Sequence, residues 1–331
     1  MNANKKATKK PATPANEITA GAIAACQTEA DATAFLELLR WNGKAECPRC
    51  RSANVYAMQN AAGTGREPAF RWRCREKACH KKFSVRTGTP MERTNIPLRV
   101  WLQVLWLQVT SKKGIPSLQI ARMTGLSYKS ALFLTHRVRH AVSGAERKLT
   151  GDVEADESYF GGVPRKANNR AKPPVVKDKM AVVGIVERGA GGLVRAKPIA
   201  EVTAETLAEF VTASAQTGGR LFTDDLSAYR KVGRKFRGHR AVIHSAGEYA
   251  RRSLKNPGLV IHTNTIEAFW SLLTKRIGAT HHAVSAKHLE KYIQEACFHW
   301  NTRGYDDGDR LRMAVIKGEG KHLAYQRHVA A

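Results

Sequence analysis

The chain has 331 residues and carries 55 lysines and arginines against 28 aspartates and glutamates, a formal net charge of +27. Such a charge disfavours a basic partner and favours a polyanion, of which nucleic acid is the first candidate. Apolar runs fall well short of the roughly 20 residues that a membrane-spanning helix needs. We therefore expect a cytoplasmic protein with no membrane partner.

The N-terminal segment differs in composition from the rest of the chain. Residues 2–14 are rich in lysine, alanine, threonine and proline and lack the apolar core of a signal peptide. This composition predicts a disordered basic arm, which we assign to residues 1–28. The chain length predicts two or three folded domains.

Four of the six cysteines are spaced like the ligands of a metal ion. Cys47 and Cys50 form one knuckle, Cys74 and Cys79 form a second that is two residues longer, and the segment between them can form a β-hairpin. Four thiolates at this spacing predict a tetrahedral structural Zn²⁺ site. The alternatives are disulfides, which a cytosolic setting disfavours, an iron–sulfur cluster, or His80 as a substitute ligand.

Basic residues are dense around the second knuckle, with only two acidic residues between positions 71 and 93. The run indicates contact with phosphates, although many such runs are simply solvated faces. We assign residues 29–92 to a zinc ribbon region. Its predicted nucleic-acid contacts are Arg71, Arg73, Lys81 and Lys82.

A helical region follows at residues 93–148. Apolar residues recur at helical spacing over positions 98–109, and residues 117–131 give a short helix, a turn at Gly125 and a second helix capped by Ser127. This pattern is typical of a helix-turn-helix, although two packed helices with no DNA contact produce it too. The side chains predicted to face DNA are Tyr128, Lys129, Ser130, His136, Arg137 and Arg139.

From residue 149 the pattern is mixed α/β. Strands are predicted at residues 153–160, 180–186, 193–198, 221–223 and 241–244, with a turn at 189–192. Helices are predicted at residues 203–215 and in two later amphipathic segments with Trp270 and Tyr292 in the core. A three-strand meander, a helix and further short strands fit a ribonuclease-H-like domain over residues 149–303. Residues 304–331 are predicted to form a mobile basic tail.

Carboxylates occur where these strands should be buried. Glu154, Asp156 and Glu157 lie within the first strand, and Asp224 and Asp225 directly follow the fourth. Scattered carboxylates at the ends of such elements indicate a divalent cation, because Mg²⁺ prefers hard oxygen ligands from carboxylates and substrate phosphates.

A third carboxylate position is open to two interpretations. Glu267 begins a helical pattern far downstream and has the residue type that a third metal ligand requires. The structural alternative is strong, because Asn264 is a good helix N-cap and Glu267 stands at the acidic position of a capping box.

Six short motifs follow one another along the sequence in the same order as in a known family of proteins. They are residues 74–89, 111–115, 153–162 (VEADESYFGG), 223–224, 244–249 and 262–271 (HTNTIEAFWS). Together they resemble the ISXO-type bacterial insertion-sequence transposases, which combine a zinc ribbon with a DDE domain. The resemblance covers roughly residues 30–303. It implies a ribonuclease-H-like fold, Mg²⁺ or Mn²⁺ as cofactor, and cutting and joining of terminal inverted repeats in the bacterial nucleoid. The implied partners are double-stranded DNA of the element ends and target, and further copies of the chain.

On this resemblance the first two catalytic aspartates match Asp156 and Asp224, and the third position matches Glu267 or Asn264. Asp156, Asp224 and Glu267 are then the expected ligands of the catalytic metal. Related proteins usually carry a basic residue seven positions after the glutamate, where this chain has Thr274. Lys275, the next residue, is expected to contact phosphate instead.

The sequence therefore predicts a multidomain transposase that binds terminal inverted repeats and performs Mg²⁺-dependent DNA cleavage and strand transfer. One alternative is a catalytically inactive DNA-binding regulator derived from a transposase, whose acidic residues are structural. Another is a metal-dependent nuclease or resolvase, which cuts without joining.

Overall fold

A computed structural model describes residues 15–144, 147–161, 179–254 and 256–324 of the chain. The described residues divide into two compact units, the first built from those within 15–111, 120–141 and 305–323 and the second from those within 112–119 and 142–304, with residue 324. None of the helices within the described ranges has the length and apolar character needed to cross a membrane.

Elements are numbered along the whole chain. The helices are α1 (Ala15–Ala25), α2 (Glu29–Trp41), α3 (Leu98–Thr110), α4 (Ser117–Thr124), α5 (Tyr128–Val142), α6 (Ala204–Ser214), α7 (Tyr229–Gly233), α8 (Asn264–Lys275), α9 (Ala286–Asn301) and α10 (Asp307–Lys317). The strands are β1 (Val55–Ala57), β2 (Trp72–Cys74), β3 (Lys82–Phe83), β4 (Val153–Phe160), β5 (Met180–Glu187), β6 (Val194–Ile199), β7 (Arg220–Thr223), β8 (Gly238–Ala241), β9 (Ala250–Arg252) and β10 (Val260–His262).

Both chain ends of the first unit are more ordered than the sequence analysis predicted. Helix α1 lies inside the predicted disordered arm of residues 1–28, and α10 lies inside the predicted tail of residues 304–331. The two helices pack against each other and against α2 and α3, and they approach so closely that a Cβ on Gly308 would lie 2.7 Å from Ile18. Both predictions of disorder are wrong over these helices, because each helix buries an apolar face. Residues 1–14 and 325–331 lie outside the described ranges.

The predicted β-hairpin between the cysteine knuckles is present as part of a small sheet. Strands β1, β2 and β3 form an antiparallel sheet in that order. Trp41 of α2 packs edge-on against Trp72 and Phe83, with ring centroids 5.9 and 6.0 Å away. The apolar cluster beneath this sheet is small and includes Cys47 and Cys74. A ligand bound by the cysteines would therefore supply much of the stability of the sheet.

The predicted helix-turn-helix is also formed. Helix α4 ends before Gly125, whose φ of 72° lies in the left-handed region that glycine adopts without strain. Ser127 then accepts a hydrogen bond from the backbone N–H of Ser130 at 3.2 Å, which caps α5. These interactions explain the turn from the sequence alone.

The second unit is built on a five-stranded mixed sheet in the order β6-β5-β4-β7-β8. Strands β4, β5 and β6 form an antiparallel meander, whereas β4, β7 and β8 run parallel. The side chains of α8 and α9 cover one face of the sheet and those of α6 and α7 cover the other. This topology confirms the ribonuclease-H-like fold expected from the meander.

Burial on both faces explains the sequence of the central strands. Seven consecutive residues of β5 are buried, as expected of a strand between two helical layers. The predicted strands at residues 153–160, 180–186, 193–198 and 221–223 are confirmed within one residue. The prediction at 241–244 is wrong, because the strand occupies Gly238–Ala241 and residues 244–246 form a 3₁₀ turn.

Candidate active site

Three carboxylates meet at the centre of the five-stranded sheet. Strands β4 and β7 are parallel neighbours, and Glu154 of β4 pairs with Phe222 of β7. Asp156 follows Glu154 by two residues and Asp224 follows Phe222 by two residues, so the two aspartates lie side by side. Carboxylate oxygens of Asp156, Glu157 and Asp224 all lie within 4.8 Å of one another. The sheet therefore brings together the two predicted aspartates and adds Glu157.

The three carboxylates are held close together against their mutual repulsion. Burial, followed by the charges of Glu157 and Asp224, raises the pKa of Asp156 to about 7. Burial and the charge of Asp224 likewise raise the pKa of Glu157. Burial and Asp225 raise the pKa of Asp224. A bound cation would relieve this repulsion, as expected for a metal site.

Trp270 fixes the orientation of Asp156. The indole N–H of Trp270, on α8, donates a hydrogen bond of 2.9 Å to Oδ2 of Asp156. Gly184 is the partner of Asp156 on β5, and a Cβ at this glycine would lie 2.6 Å from the Trp270 ring. The glycine thus leaves the space that the tryptophan needs to reach the carboxylate. Trp270 is buried as predicted, and it also contacts the site.

Glu157 is fixed from the opposite side of the sheet. Because side chains alternate along a strand, Glu157 emerges on the face covered by α6 and α7. There the hydroxyl of Tyr229 donates a hydrogen bond of 2.9 Å to its Oε2. Tyr229 is fully buried, and burial raises its pKa well above the usual range, so the phenol stays protonated and acts as a donor.

Glu154 has a different role, although it shares a strand with Asp156. Its side chain is fully buried and accepts hydrogen bonds from Arg188 Nε at 2.8 Å and from the backbone N–H groups of Thr265 at 2.8 Å and Ile266 at 3.0 Å. Those amides belong to the first turn of α8, where a carboxylate is favourable. Glu154 therefore anchors the N-terminus of α8 to β4.

We expect Glu154→Ala to lower the free energy of unfolding of the second unit by about 3–5 kcal/mol, since it leaves Arg188 and two amides without their buried acceptor. Glu154→Gln should cost about 1–3 kcal/mol because it keeps an acceptor and loses the charge. Urea unfolding followed by hydrogen exchange of the β4 amides measures both changes. Glu205→Ala, which removes an exposed carboxylate paired with Lys231 in the first turn of α6, is the matched control and should cost less than about 1 kcal/mol.

The predicted third-position residues lie at the start of α8, outside the carboxylate cluster. Oε1 of Glu267 accepts a hydrogen bond of 2.8 Å from the hydroxyl of Thr263 and lies 3.7 Å from Nε2 of His244. Thr263, rather than Asn264, occupies the N-cap position, so the N-cap interpretation of Asn264 is wrong by one residue. Asn264 is exposed, as is Lys275 at the end of the helix.

The four predicted zinc ligands form a second cluster, in the first unit. The sulfurs of Cys47 and Cys79 are 3.8 Å apart and those of Cys50 and Cys74 are 3.6 Å apart, and all four lie within 4.8 Å of one another. Zn–S bonds of about 2.3 Å place the sulfurs about 3.8 Å apart at the corners of a tetrahedron. The spacing therefore fits Zn²⁺ and is too long for a disulfide of about 2.05 Å.

Comparison with known proteins places both clusters in named domains. Residues 27–82 match the model of a transposase zinc-ribbon domain, and residues 148–301 match that of an ISXO2-like transposase domain. The chain therefore combines a zinc-ribbon domain with an ISXO2-like transposase domain, as the resemblance predicted. It is also similar to a protein of Halobacterium salinarum described as an uncharacterized protein in transposable element ISH50, with 25% identity over 280 residues, which are 81% of this chain and 89% of that one.

The fold exposes some of the residues predicted to contact DNA and buries others. Lys81, Lys82 and Lys129 are exposed, and Arg71 and Arg73 are partly exposed; Arg71 pairs with Glu67. Arg137 is buried, donates a hydrogen bond to the backbone oxygen of Glu92 at 2.8 Å and lies over the Phe133 ring at 5.1 Å. The prediction of DNA contact is therefore wrong for Arg137, and for His136 and Arg139, which are also buried.

The sequence analysis missed three contacts of this site. It grouped Glu154 and Glu157 with the other carboxylates of the first strand without assigning either a partner, and it placed Trp270 in the core only. The alternation of side chains along a strand does place Glu157 on the opposite face of the sheet from Asp156. The side chain that contacts Glu157, however, belongs to Tyr229, which is 72 residues away in the sequence. The glycine opposite Asp156 was a usable signal, since a glycine within a buried strand often marks close approach by another group.

Proposed function

We propose that this protein is a DNA transposase that binds the terminal inverted repeats of its element and catalyses metal-dependent strand cleavage and strand transfer. The observation that carries the proposal is the meeting of Asp156, Glu157 and Asp224 on adjacent parallel strands within an ISXO2-like transposase domain. Double-stranded DNA is the substrate, and copies of the chain pair two element ends.

The site has the donor set that Mg²⁺ or Mn²⁺ needs. Its ligands are hard carboxylate oxygens, and repulsion among them contributes to the raised pKa of Asp156. Asp156 and Asp224 would hold the metal, with Glu267 or Asn264 as the further ligand expected from the family. A divalent cation there supplies Lewis acidity toward the phosphate and activates the attacking oxygen.

The chain's own residues set the geometry of the reaction. Trp270 holds Asp156 in one orientation, and Glu154 holds the first turn of α8 against β4. In the proposed sequence, water attacks a phosphodiester in line and releases a 3′ hydroxyl and a 5′ phosphate. The 3′ hydroxyl then attacks a target phosphodiester, forms the new P–O bond and displaces the target strand's 3′ oxygen, which leaves as a hydroxyl. No covalent bond to the protein is required.

Positive charge next to the carboxylates supports a phosphodiester substrate. Between Asp225 and Glu248 the chain contains no acidic residue. Six exposed cations lie in this interval, on or near α7 and β8: Arg230, Lys231, Arg234, Lys235, Arg237 and Arg240. One of them, Lys231, pairs with Glu205. Because α7 begins at Tyr229, which contacts Glu157, this basic segment starts at the carboxylate cluster and can attract the DNA backbone toward it.

Recognition of the element ends is assigned to the zinc ribbon and the helix-turn-helix. The exposed cations Lys81, Lys82 and Lys129, with Arg71 and Arg73, are the proposed phosphate contacts there, and Lys275 is a further contact in the catalytic domain. Arg137 is excluded because it is buried. A Zn²⁺ ion bound by the four cysteines would hold the ribbon in shape for this contact.

The proposal is tested with duplex DNA that carries the inverted repeats flanking the gene. Purified full-length protein with Mg²⁺ should cleave at the repeat ends and join the released 3′ ends to a second duplex. Cleavage without joining would favour the nuclease interpretation instead. Binding with neither reaction would favour the regulator.

We expect Lys129→Ala to weaken binding of terminal-repeat DNA and to reduce the slope of log affinity against log salt by about one, since one phosphate contact is lost. Binding titrations at several ionic strengths measure this slope. Lys287→Ala removes the same charge from an exposed position on α9 and serves as the control, with the wild-type slope expected. An affinity that does not change with salt would contradict the assignment.

A further inference from the structure

We propose that Thr263 and His244 are positioning residues that together hold the carboxylate of Glu267 beside Asp224. The inference rests on the proposed function, with Glu267 as the further carboxylate of the metal site. Residues 244–249, one of the six motifs in the sequence, thereby acquire a role that the proposed reaction leaves open.

The N-terminus of α8 is capped from outside the helix. A threonine at an N-cap ordinarily accepts a hydrogen bond from a backbone N–H of the first turn, but the side chain of Thr263 makes no such bond. The N–H groups of Thr265 and Ile266 donate instead to Glu154. Thr263 is buried, and its hydroxyl is therefore available to a different partner.

Glu267 does not have the capping role that its position in the sequence allowed. Because Thr263 is the N-cap residue, the N3 position of a capping box belongs to Ile266. The backbone N–H of Glu267 donates to the backbone oxygen of Thr263, as in any helix, and its side chain is 42% exposed. Helix capping therefore does not account for this carboxylate.

A chain of hydrogen bonds runs from His244 through Thr263 to Glu267. The hydroxyl of Thr263 has a single proton, which it donates to Oε1 of Glu267 at 2.8 Å because a carboxylate only accepts. Nε2 of His244 lies 3.2 Å from the same hydroxyl oxygen, so Nε2 carries a proton and donates it. An Nε2–H group is present in one neutral tautomer and in the protonated ring alike, so the chain does not depend on the charge of the imidazole.

His244 also lies close to the second aspartate of the site. Burial raises the pKa of Asp224, and the imidazole of His244 acts against that rise, which places the ring within electrostatic reach of the carboxylate. Two contacts fix the loop that carries it. The Tyr249 ring packs edge-on against His244 with centroids 5.5 Å apart, and the hydroxyl of Ser245 donates to Asp225 at 3.3 Å.

The experiment measures Mn²⁺ binding to the full-length, zinc-loaded protein from the electron paramagnetic resonance signal of free Mn²⁺, so the readout does not depend on catalysis. Thr263→Val keeps the size of the side chain and removes the hydroxyl. It should weaken Mn²⁺ binding by about tenfold, as for the loss of a group that orients a metal ligand. Thr263→Ser keeps the hydroxyl and should restore wild-type affinity.

Thr302→Val is the matched control for Thr263→Val. It removes a hydroxyl that is also buried and that donates to the backbone oxygen of Phe298 at 2.8 Å in α9. The control should bind Mn²⁺ as the wild type does. Zinc content and melting temperature confirm that each variant is folded.

Two substitutions test His244. His244→Gln places an amide N–H near the position of Nε2 and should keep the Mn²⁺ affinity, whereas His244→Ala removes the donor and should weaken binding by about tenfold. Equal losses in both variants would mean that the imidazole does more than donate to Thr263 and would overturn its assignment.

A double substitution tests whether Thr263 acts through Glu267. In the Glu267→Gln background, Thr263→Val should cause no further loss of Mn²⁺ affinity, because both changes act through one carboxylate. Additive losses would mean that Thr263 acts through the packing of the helix start and would overturn its assignment as a positioning residue.

The outcomes separate this inference from the proposed function. Wild-type affinity in Thr263→Val or in Glu267→Gln, while Asp156→Asn loses binding, would overturn the inference and leave the proposed function intact. If the wild-type protein binds no Mn²⁺, both proposals fail. Loss of binding in Glu267→Gln, Thr263→Val and His244→Ala, with wild-type affinity in Thr263→Ser and His244→Gln, is the result expected.

Discussion

Asp156→Asn should abolish DNA cleavage and joining, with a loss of about 10³-fold or more, because the amide removes the charge that holds the metal beside the scissile phosphate. Asparagine has nearly the same shape and keeps an oxygen for the indole N–H of Trp270. The loss is therefore attributable to charge rather than to packing. Cleavage of labelled terminal-repeat duplex measures it, and zinc content and DNA affinity should stay at wild-type values.

The same substitution should stabilise the metal-free protein above pH 7. Burial and neighbouring carboxylates raise the pKa of Asp156 to about 7 in the folded state, from 3.8. A carboxyl group whose pKa is higher in the folded than in the unfolded protein stabilises the fold at pH values below its pKa in the unfolded protein. This stabilisation is lost as the pH rises from about 4 to about 7, because the buried group must then ionise. Asparagine cannot ionise, so the melting temperature of the metal-free variant should fall less over this interval. An equal or steeper fall would contradict the assigned repulsion.

Asp225→Asn is the matched control for Asp156→Asn. Asp225 follows Asp224 directly, is exposed, and accepts a hydrogen bond from the hydroxyl of Ser245 at 3.3 Å. The change in charge is identical, but the carboxylate is not part of the cluster. Cleavage should remain within about threefold of the wild type, since a single exposed charge contributes little. Full activity in Asp156→Asn would discard the metal site altogether.

Cys74→Ser should release the structural zinc and unfold the ribbon. The Cys74 sulfur is fully buried and is 3.6 Å from that of Cys50, and the surrounding apolar cluster is too small to stabilise the three short strands alone. Structural zinc sites have apparent binding energies of about 10–16 kcal/mol, so losing the metal means losing the fold around it. Elemental analysis should fall from about one zinc per chain to nearly none.

Hydrogen exchange localises the effect of Cys74→Ser. Amides of β1 to β3 should exchange rapidly, whereas those of β4 and β5 should stay protected, because the five-stranded sheet has its own core. Cys26→Ser is the control: that thiol, one residue after the end of α1, donates to the backbone oxygen of Ala22 and lies outside the cluster. A normal zinc content in Cys74→Ser would exclude the four-cysteine site.

The elements that were predicted correctly are those whose signals are local. Short apolar segments bounded by turn residues predicted β4, β5 and β6, and the turn glycine with Ser127 predicted the helix-turn-helix. The carboxylates of Asp156 and Asp224 were identified because charge is unexpected on a buried strand. The two carboxylates lie close together because β4 and β7 are parallel neighbours in the sheet.

The incorrect predictions have physical causes, and for two of them the sequence already contained a signal. Arg137 lies between Leu134, Val138 and Ala141 on the apolar face of α5, so helical periodicity already indicated burial for a residue chosen by charge. Helix α10 buries Leu311, Ala314 and Val315, at spacings typical of an amphipathic helix, although the segment resembled a basic tail in composition. The contact between Tyr229 and Glu157 had no local signal, because it depends on how α7 packs on the sheet.

The anchoring of α8 by Glu154 has a consequence for the chain as it is synthesised. The carboxylate belongs to the first strand of the catalytic domain, and its amide partners follow 111 and 112 residues later. Since chains emerge N-terminus first, a ribosome-bound intermediate has Arg188 beside Glu154 but lacks both amide donors until α8 has left the exit tunnel. A domain truncated before α8 would thus lack two donors to the buried carboxylate of Glu154 and the indole N–H that orients Asp156, so the carboxylate cluster is completed only when the last third of the domain has been made.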